Sequence, residues 1–222
     1  MKKMRVTRMP LGLAETNCYI LVNKETKEAI IVDPADTEYK VFDKVEALKA
    51  KPVALLLTHG HFDHIMASNE IAEHYDIPLI ALDKEEKMLN NIRLNMTKDF
   101  TKKHVGYIPK VTRYVTDNEE LDYAGFHFRV LSTPGHSPGS CCYYFPDEDV
   151  LISGDTLFKE SCGRTDFETS SPRDMKTSLA RLFDEMPDET EVFPGHLEET
   201  TIIHEKRYNP YFSKKKGYFF WN

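Results

Sequence analysis

Thr58-His59-Gly60-His61-Phe62-Asp63-His64 follows directly on the apolar run Val53-Ala54-Leu55-Leu56-Leu57, and this junction decides how the rest of the chain is read. A short apolar run bounded by polar residues has the length of a buried strand. Three imidazoles and one carboxylate then fall within residues 59–64, in the loop at the strand's end. Ile65 to Tyr75 reads as the helix that follows. Neutral imidazole and carboxylate are ligands suited to zinc, iron, nickel or manganese. His59 and His61, two apart in extended backbone, point the same way and can share one ion. Asp63 and His64, further into the turn, can swing towards a second. An arbitrary His-x-His is more often a surface loop that binds nothing. At the end of an apolar strand, with Asp63 and His64 added, the metal reading prevails.

Upstream, Asn17 to Val22 and Ala29 to Asp33 read as strands flanking a polar hairpin tip, and Asp33-Pro34 ends the second. Val41, Phe42, Val45 and Leu48 lie at helical spacing within Tyr39 to Lys51. Pro78 to Leu82 reads as another strand. The resulting β-β-α-β-α-β order predicts an α+β layered sheet flanked by helices. Asp83 to Pro109 is polar, methionine-bearing and weakly helical. It reads as a solvated connecting helix or two, or as a cover over the site. From Val111 the pattern turns β again: residues 111–115, 120–122, 126–131 and 141–145. Phe126, Phe128 and Val130 alternate with His127 and Arg129, as on a strand with one wet face. No linker, fixed-period repeat or low-complexity segment divides the chain, so residues 1–222 read as a single domain.

Composition narrows the function classes. The 29 basic and 36 acidic residues give a net charge of −7, which argues against a nucleic-acid partner. No apolar run is long enough to span a bilayer, so no membrane partner is expected. Met1-Lys2-Lys3-Met4 has positive charge without an apolar segment behind it, unlike a signal peptide. The four cysteines, Cys18, Cys141, Cys142 and Cys162, lack Cys-x-x-Cys spacing, and neighbours on a strand face opposite ways. Packing thiols in a reducing cytoplasm are expected, in a monomer or homodimer.

Two further strand ends carry histidine. Pro134-Gly135-His136-Ser137-Pro138-Gly139 makes a tight loop able to aim one imidazole, and Pro194-Gly195-His196 follows the strand at Glu191 to Phe193. Gly154-Asp155 follows Val150-Leu151-Ile152; alone it would be a turn residue.

Taken together, His59-x-His61-x-Asp63-His64, Pro134-Gly135-His136, Asp155 and Pro194-Gly195-His196 resemble the metallo-β-lactamase-fold superfamily of metal-dependent hydrolases. The resemblance implies a four-layer αββα sandwich with two divalent ions, zinc foremost and iron or manganese as alternatives. It implies His59, His61 and His136 at one ion, Asp63, His64 and His196 at the other, and Asp155 bridging them. Two such ions bring the pKa of a shared water towards ~7 and polarise a carbonyl oxygen, with Asp63 and Asp155 as the catalytic carboxylates. His74, His104, His127 and His204 are not assigned to metal.

Narrower features, Gly154 to Phe158, Cys162-Gly163-Arg164-Thr165-Asp166-Phe167, His196 to Ile202, Glu205 and Asn209-Pro210, resemble glyoxalase II, a hydroxyacylglutathione hydrolase. The likeness is to the short bacterial type without the C-terminal helical domain. It implies a small-molecule thioester substrate such as S-lactoylglutathione. Arg164 either meets a substrate carboxylate, orients site carboxylates or makes a structural ion pair. The alternatives are a persulfide dioxygenase, with one iron on His59, His136 and Asp155, and a non-catalytic metal-binding module. A β-lactamase is disfavoured because Asp155 stands where one major class carries a ligand cysteine, and a nuclease because the chain lacks basic surface.

Overall fold

The computed structural model describes residues 2–212. Lys214-Lys215-Lys216 and the aromatic run Tyr218 to Trp221, read from sequence as terminal packing or as contact with an anionic substrate, lie outside the described residues. The first half comprises β1 (Met4–Leu11), β2 (Thr16–Asn23), β3 (Glu28–Val32), α1 (Glu38–Leu48), β4 (Lys51–Leu56), α2 (Phe62–Ile65), α3 (Ser68–Tyr75) and β5 (Leu79–Leu82). Short helices α4 (Glu86–Leu89) and α5 (Thr97–Phe100) lead to β6 (Arg113–Val115). The second half holds β7 (Glu120–Tyr123), β8 (Phe126–Ser132), β9 (Cys141–Phe145), β10 (Val150–Gly154), β11 (Leu157–Phe158), β12 (Ser161–Cys162), α6 (Pro172–Glu185), β13 (Glu191–Pro194), β14 (Thr200–Thr201) and α7 (Ile202–Tyr208).

Two six-stranded sheets result, one in the order β1-β2-β3-β4-β5-β6, the other β14-β13-β10-β9-β8-β7. Alternation along each strand decides what each face meets. In β2, Tyr19 and Leu21 join Phe128, Tyr143, Phe145 and Ile152 in the core between the sheets. The intervening Cys18, Ile20 and Val22 turn outward to Val41 and Val45 of α1 and Ile71 of α3. On the far side Leu131, Cys142, Leu151 and Val192 pack under Met175, Leu179, Leu182 and Phe183 of α6. Strands buried on both faces read as continuous apolar runs, and helices close both outer faces. This is the four-layer αββα sandwich. Cys141 and Cys142 do fall in different cores, and all four cysteines are free. Among the described residues, no helix is long and apolar enough to cross a membrane.

The structure corrects two local readings. The helix after the motif starts earlier than expected, at Phe62, and breaks before α3 begins at Ser68. At the break, the Met66 and Ala67 N–H groups donate to the carbonyls of Ala35 and Pro34 (3.2 and 3.0 Å) instead of continuing the helix. Asp63 and His64 thus sit on a helical turn, not in an open loop. The second is α6, which the β reading of the later chain passes over. Its start is marked by Ser171, whose side chain accepts from the Asp174 N–H, and by Pro172 at the first turn. Met175, Leu179, Leu182 and Phe183 then recur at helical spacing, each burying apolar area worth about 1.5–3 kcal/mol.

Register aligns the ends that carry the chemistry. Parallel pairing of Val32 with Leu56 brings Asp33 beside Thr58, just past both strands. In the other sheet, Gly154 pairs with Pro194, so Asp155 and Gly195-His196 leave their strands side by side. The two sheets are joined at this same end: Cys141 N–H donates to the Thr58 carbonyl (2.9 Å), and Asn17 N–H to that of Gly195 (2.7 Å).

Candidate metal centre

All seven predicted donors converge where the strand ends meet. His59, His61 and His136 present ligand atoms within 4.8 Å of one another, and so do Asp63, His64 and His196. A third set of the same closeness, His59, His64 and Asp155, links the two. Asp155 lies between the groups: Oδ2 is 3.4 Å from His136 Nε2 and 3.5 Å from His196 Nε2, and Oδ1 is 3.5 Å from His64 Nε2. His61 Nδ1 and His136 Nε2 face each other at 2.8 Å. Asp63 Oδ2 accepts from the Thr16 hydroxyl (3.0 Å) and lies 3.3 Å from His196 Nε2. A binuclear metal site is what this His/Asp cluster suggests.

The hydrogen-bond network orients three of the rings, His59, His64 and His136. Asp33, 1% exposed and held at φ 48, accepts through Oδ1 from the Thr58 N–H (2.8 Å). Its Oδ2 accepts from the Thr58 hydroxyl (2.6 Å) and from His64 Nδ1–H (2.9 Å). With its proton given to Asp33, the Thr58 hydroxyl accepts from His59 Nδ1–H at 3.2 Å. His136 Nδ1–H donates to the Arg164 carbonyl (2.9 Å). Each of these rings therefore turns its Nε2 inward. Among the described residues, four buried side-chain polar atoms lack a hydrogen-bond partner, and three belong here: His59 Nε2, His64 Nε2 and Asp155 Oδ1. An unsatisfied buried group costs about 1–3 kcal/mol. Three such atoms aimed at one space fit a bound cation.

Electrostatics point the same way. Burial, reinforced by the neighbouring imidazoles, pushes His59 well below the usual histidine range; burial and His136 do the same to His61. Burial would also lower His64, but Asp63, Asp155 and Asp33 outweigh it and hold the ring up at about 10. Asp63 would be raised by burial, yet His64 and His196 bring it below the carboxylate range. One half of the cluster excludes positive charge on its rings, while the other calls for a cation. Metal ions held by neutral imidazoles and carboxylates meet both demands.

A cleft of about 410 Å³ opens onto the cluster, walled by Phe62, Met96, Phe158, Cys162, Arg164 and Phe167 among others. Burial pushes the Cys162 thiol up to about 12, so it is no nucleophile at neutral pH. Arg164 borders the cleft, but its guanidinium turns away from the cluster's carboxylates. It makes two bonds to Asp166 (2.6 and 2.7 Å) and lies 4.5 Å over the Phe167 ring. Among the described residues its bonds go to Asp166 and none goes to Asp63 or Asp155. The remaining histidines lie elsewhere: His74 packs on Phe42, and His104, His127 and His204 bond to the Lys98 carbonyl, Asp122 and Glu160.

Three supports escape the sequence reading. Asp33 passes there as the end of a strand. Glu85, just past β5, accepts from the N–H groups of Gly60 (2.8 Å) and Gly139 (2.6 Å), clasping the His59–His61 and His136 loops together. Gly195 lies so close that a Cβ there would collide with Asp155 Oδ1 and stand 2.8 Å from His64 Cε1. The segment 83–109 contributes Met96 to the cleft and Phe100, stacked on Phe62 at 3.7 Å. Asp33-Pro34 and Pro194-Gly195-His196 were visible as unusual strand ends; Glu85 carried no local signal.

Comparison with known proteins agrees with this arrangement. The chain is 36% identical to the probable metallo-hydrolase YqgX of Bacillus subtilis, over 94% of this chain and 97% of that protein. It is 28% identical to the hydroxyacylglutathione hydrolase GloC of Haemophilus influenzae, over 96% and 100%. Among solved structures, the BLEG-1 B3 metallo-beta-lactamase superposes with TM-score 0.87 at 35% identity, covering 94% of this chain and all of that one. TTHA1623 in a di-iron-bound form gives 0.79 at 31%, covering 93% and 100%, and ETHE1 from Myxococcus xanthus 0.77 at 28%, covering 94% and 84%. Residues 11–196 match the family described as the metallo-beta-lactamase superfamily. With fold, donor cluster and kinship in accord, the chain belongs to the metallo-beta-lactamase superfamily.

Proposed function

We propose that the chain is a metal-dependent hydrolase that cleaves S-lactoylglutathione or a related hydroxyacyl thioester. His59, His61 and His136 would hold one divalent ion, Asp63, His64 and His196 the other, and Asp155 both. Zinc is the first candidate, with iron or manganese as alternatives. The observation that carries the reading is the set of buried, partnerless atoms His59 Nε2, His64 Nε2 and Asp155 Oδ1 within the donor cluster. Two ions bound there supply Lewis acidity and make hydroxide available near neutral pH.

The chain's own groups do the rest. Asp33 and Thr58 hold the His59 and His64 rings with Nε2 inward, and the Arg164 carbonyl does so for His136. The Thr16 hydroxyl fixes Asp63, leaving its carboxylate to orient the attacking water as well as to ligate. The apolar walls at Phe62, Met96, Phe158 and Phe167 exclude bulk water and strengthen every charge interaction inside the cleft. Kinship to GloC supports the thioester over other acyl substrates.

Kinship to ETHE1 supports a second reading, a persulfide dioxygenase with one iron on His59, His136 and Asp155. That reading leaves the Asp63, His64 and His196 set without a purpose. Elemental analysis of protein purified without added metal, beside S-lactoylglutathione hydrolysis, decides between them. Two equivalents per chain with turnover, abolished in His61→Ala and Asp155→Ala while circular dichroism is retained, supports the hydrolase. One equivalent of iron with oxygen uptake on glutathione persulfide would replace it.

A further inference from the structure

The central cleft has a side arm of about 170 Å³. His61, Met96 and Phe167 line both spaces, so the arm opens directly at the donor cluster. Leu94 adds a further apolar wall, and the remaining charges on the arm are one arginine and one glutamate, Arg93 and Glu168. Both are exposed, and among the described residues neither side chain has a hydrogen-bond or ion-pair partner, including each other. Arg164, the arginine on the wall of the main cleft, bonds to Asp166. Two opposite, unused charges thus flank one small, partly apolar space that leads to the metal donors.

We infer that this arm anchors a zwitterionic α-amino-acid head group on the thiol half of the substrate, Arg93 taking its carboxylate and Glu168 its ammonium. The assignment rests on the thioester reading for which half of the substrate carries the group. Arginine's planar fork matches a carboxylate in two parallel bonds. Glutamate accepts from an ammonium and repels an anion of like sign, so a thiol carrier bearing phosphates is selected against. A volume of about 170 Å³ has room for such a head group.

The test uses the full, metal-loaded chain and S-methylglutathione, a thioether that cannot be hydrolysed and whose γ-glutamyl end is an α-amino-acid head group. Isothermal titration is expected to show Arg93→Ala and Glu168→Ala each weakening binding roughly five- to tenfold, since both bonds stay partly solvated. N-acetylation of the probe, which removes the ammonium, should weaken binding to the unmodified protein by a similar factor and leave Glu168→Ala indifferent. Unchanged affinity in both variants overturns the proposal, as does a chain that does not bind the probe. A loss in Arg93→Ala alone, with acetylation silent, leaves a plain anion site and overturns the zwitterion. Hydrolysis of S-lactoylglutathione is followed separately. Turnover with normal probe binding in both variants removes the arm and keeps the thioester reading. The expected binding pattern without turnover of any thioester keeps the arm and removes that reading.

Discussion

Asp33→Asn isolates the control that one buried carboxylate exerts over two imidazoles. The substitution preserves shape, and asparagine tolerates the φ of 48° found at this position, so the backbone is not the variable. What changes is donor and acceptor identity. Asp33 Oδ2 now accepts from both the Thr58 hydroxyl and His64 Nδ1–H. An amide NH₂ there would face two donors. To recover hydrogen bonds, Thr58 would turn its proton to His59 Nδ1 and His64 would shift its proton to Nε2. Both rings would then present N–H where a lone pair must face the ion. The reverse amide orientation instead points NH₂ at the buried Thr58 N–H, which costs about 1–3 kcal/mol. Removing such outer partners typically costs about 10–100-fold in metal affinity or activity, or ~1.4–2.7 kcal/mol. With two rings affected, the upper end is expected. Competition against a calibrated chelator reads the metal affinity, and thermal melting of the stripped proteins checks that the fold survives. Metal affinity within twofold of the unmodified chain, with the same stripped melting temperature, would refute the tautomer argument.

Three further outcomes are expected. Burial raises the Glu85 carboxyl from 4.5 to about 7, so between those values the folded chain holds a proton that the unfolded chain has lost. Stability therefore falls as pH rises through that window, by up to about 3 kcal/mol, and Glu85→Gln removes the slope; urea titrations of both proteins at pH 5 and 8 should diverge, and parallel curves would contradict this. Gly195→Ala puts a methyl group against Asp155 and His64, so metal content should drop below two equivalents and hydrolysis at least about a hundredfold; full metal loading would show that the loop yields. Leu179→Ala empties a fully buried site under the second sheet and should cost about 2–5 kcal/mol in urea unfolding, while a loss below ~1 kcal/mol would mean that α6 collapses onto the gap.

Much of this protein is legible without a structure because its chemistry is written locally. An apolar strand ending in His59-Gly60-His61-Phe62-Asp63-His64 declares both an element and its ligands, since strand period and ligand identity depend only on neighbouring residues. Pro134-Gly135-His136 and Pro194-Gly195-His196 are readable for the same reason. The break at Met66 and Ala67 is not legible locally, because it depends on the carbonyls of Ala35 and Pro34, some thirty residues away. α6 carries local signals of its own, the Ser171-Pro172 start and apolar residues at helical spacing.

By itself, then, the amino-acid order pointed to a layered α+β fold and to the His59–His64 donors at a strand end, while His136, Asp155 and His196 joined them through the family resemblance. Tertiary structure alone decided that Val32 pairs beside Leu56 and Gly154 beside Pro194, which brings those ends to one place. It also decided that Asp33 and Glu85 serve the donor loops, and that Arg164 bonds to Asp166 while, among the described residues, Arg93 and Glu168 have no side-chain partner. A side chain's chemistry belongs to its residue type, but its partners are set by sheet register and packing between residues far apart in the chain. No local pattern carries that information.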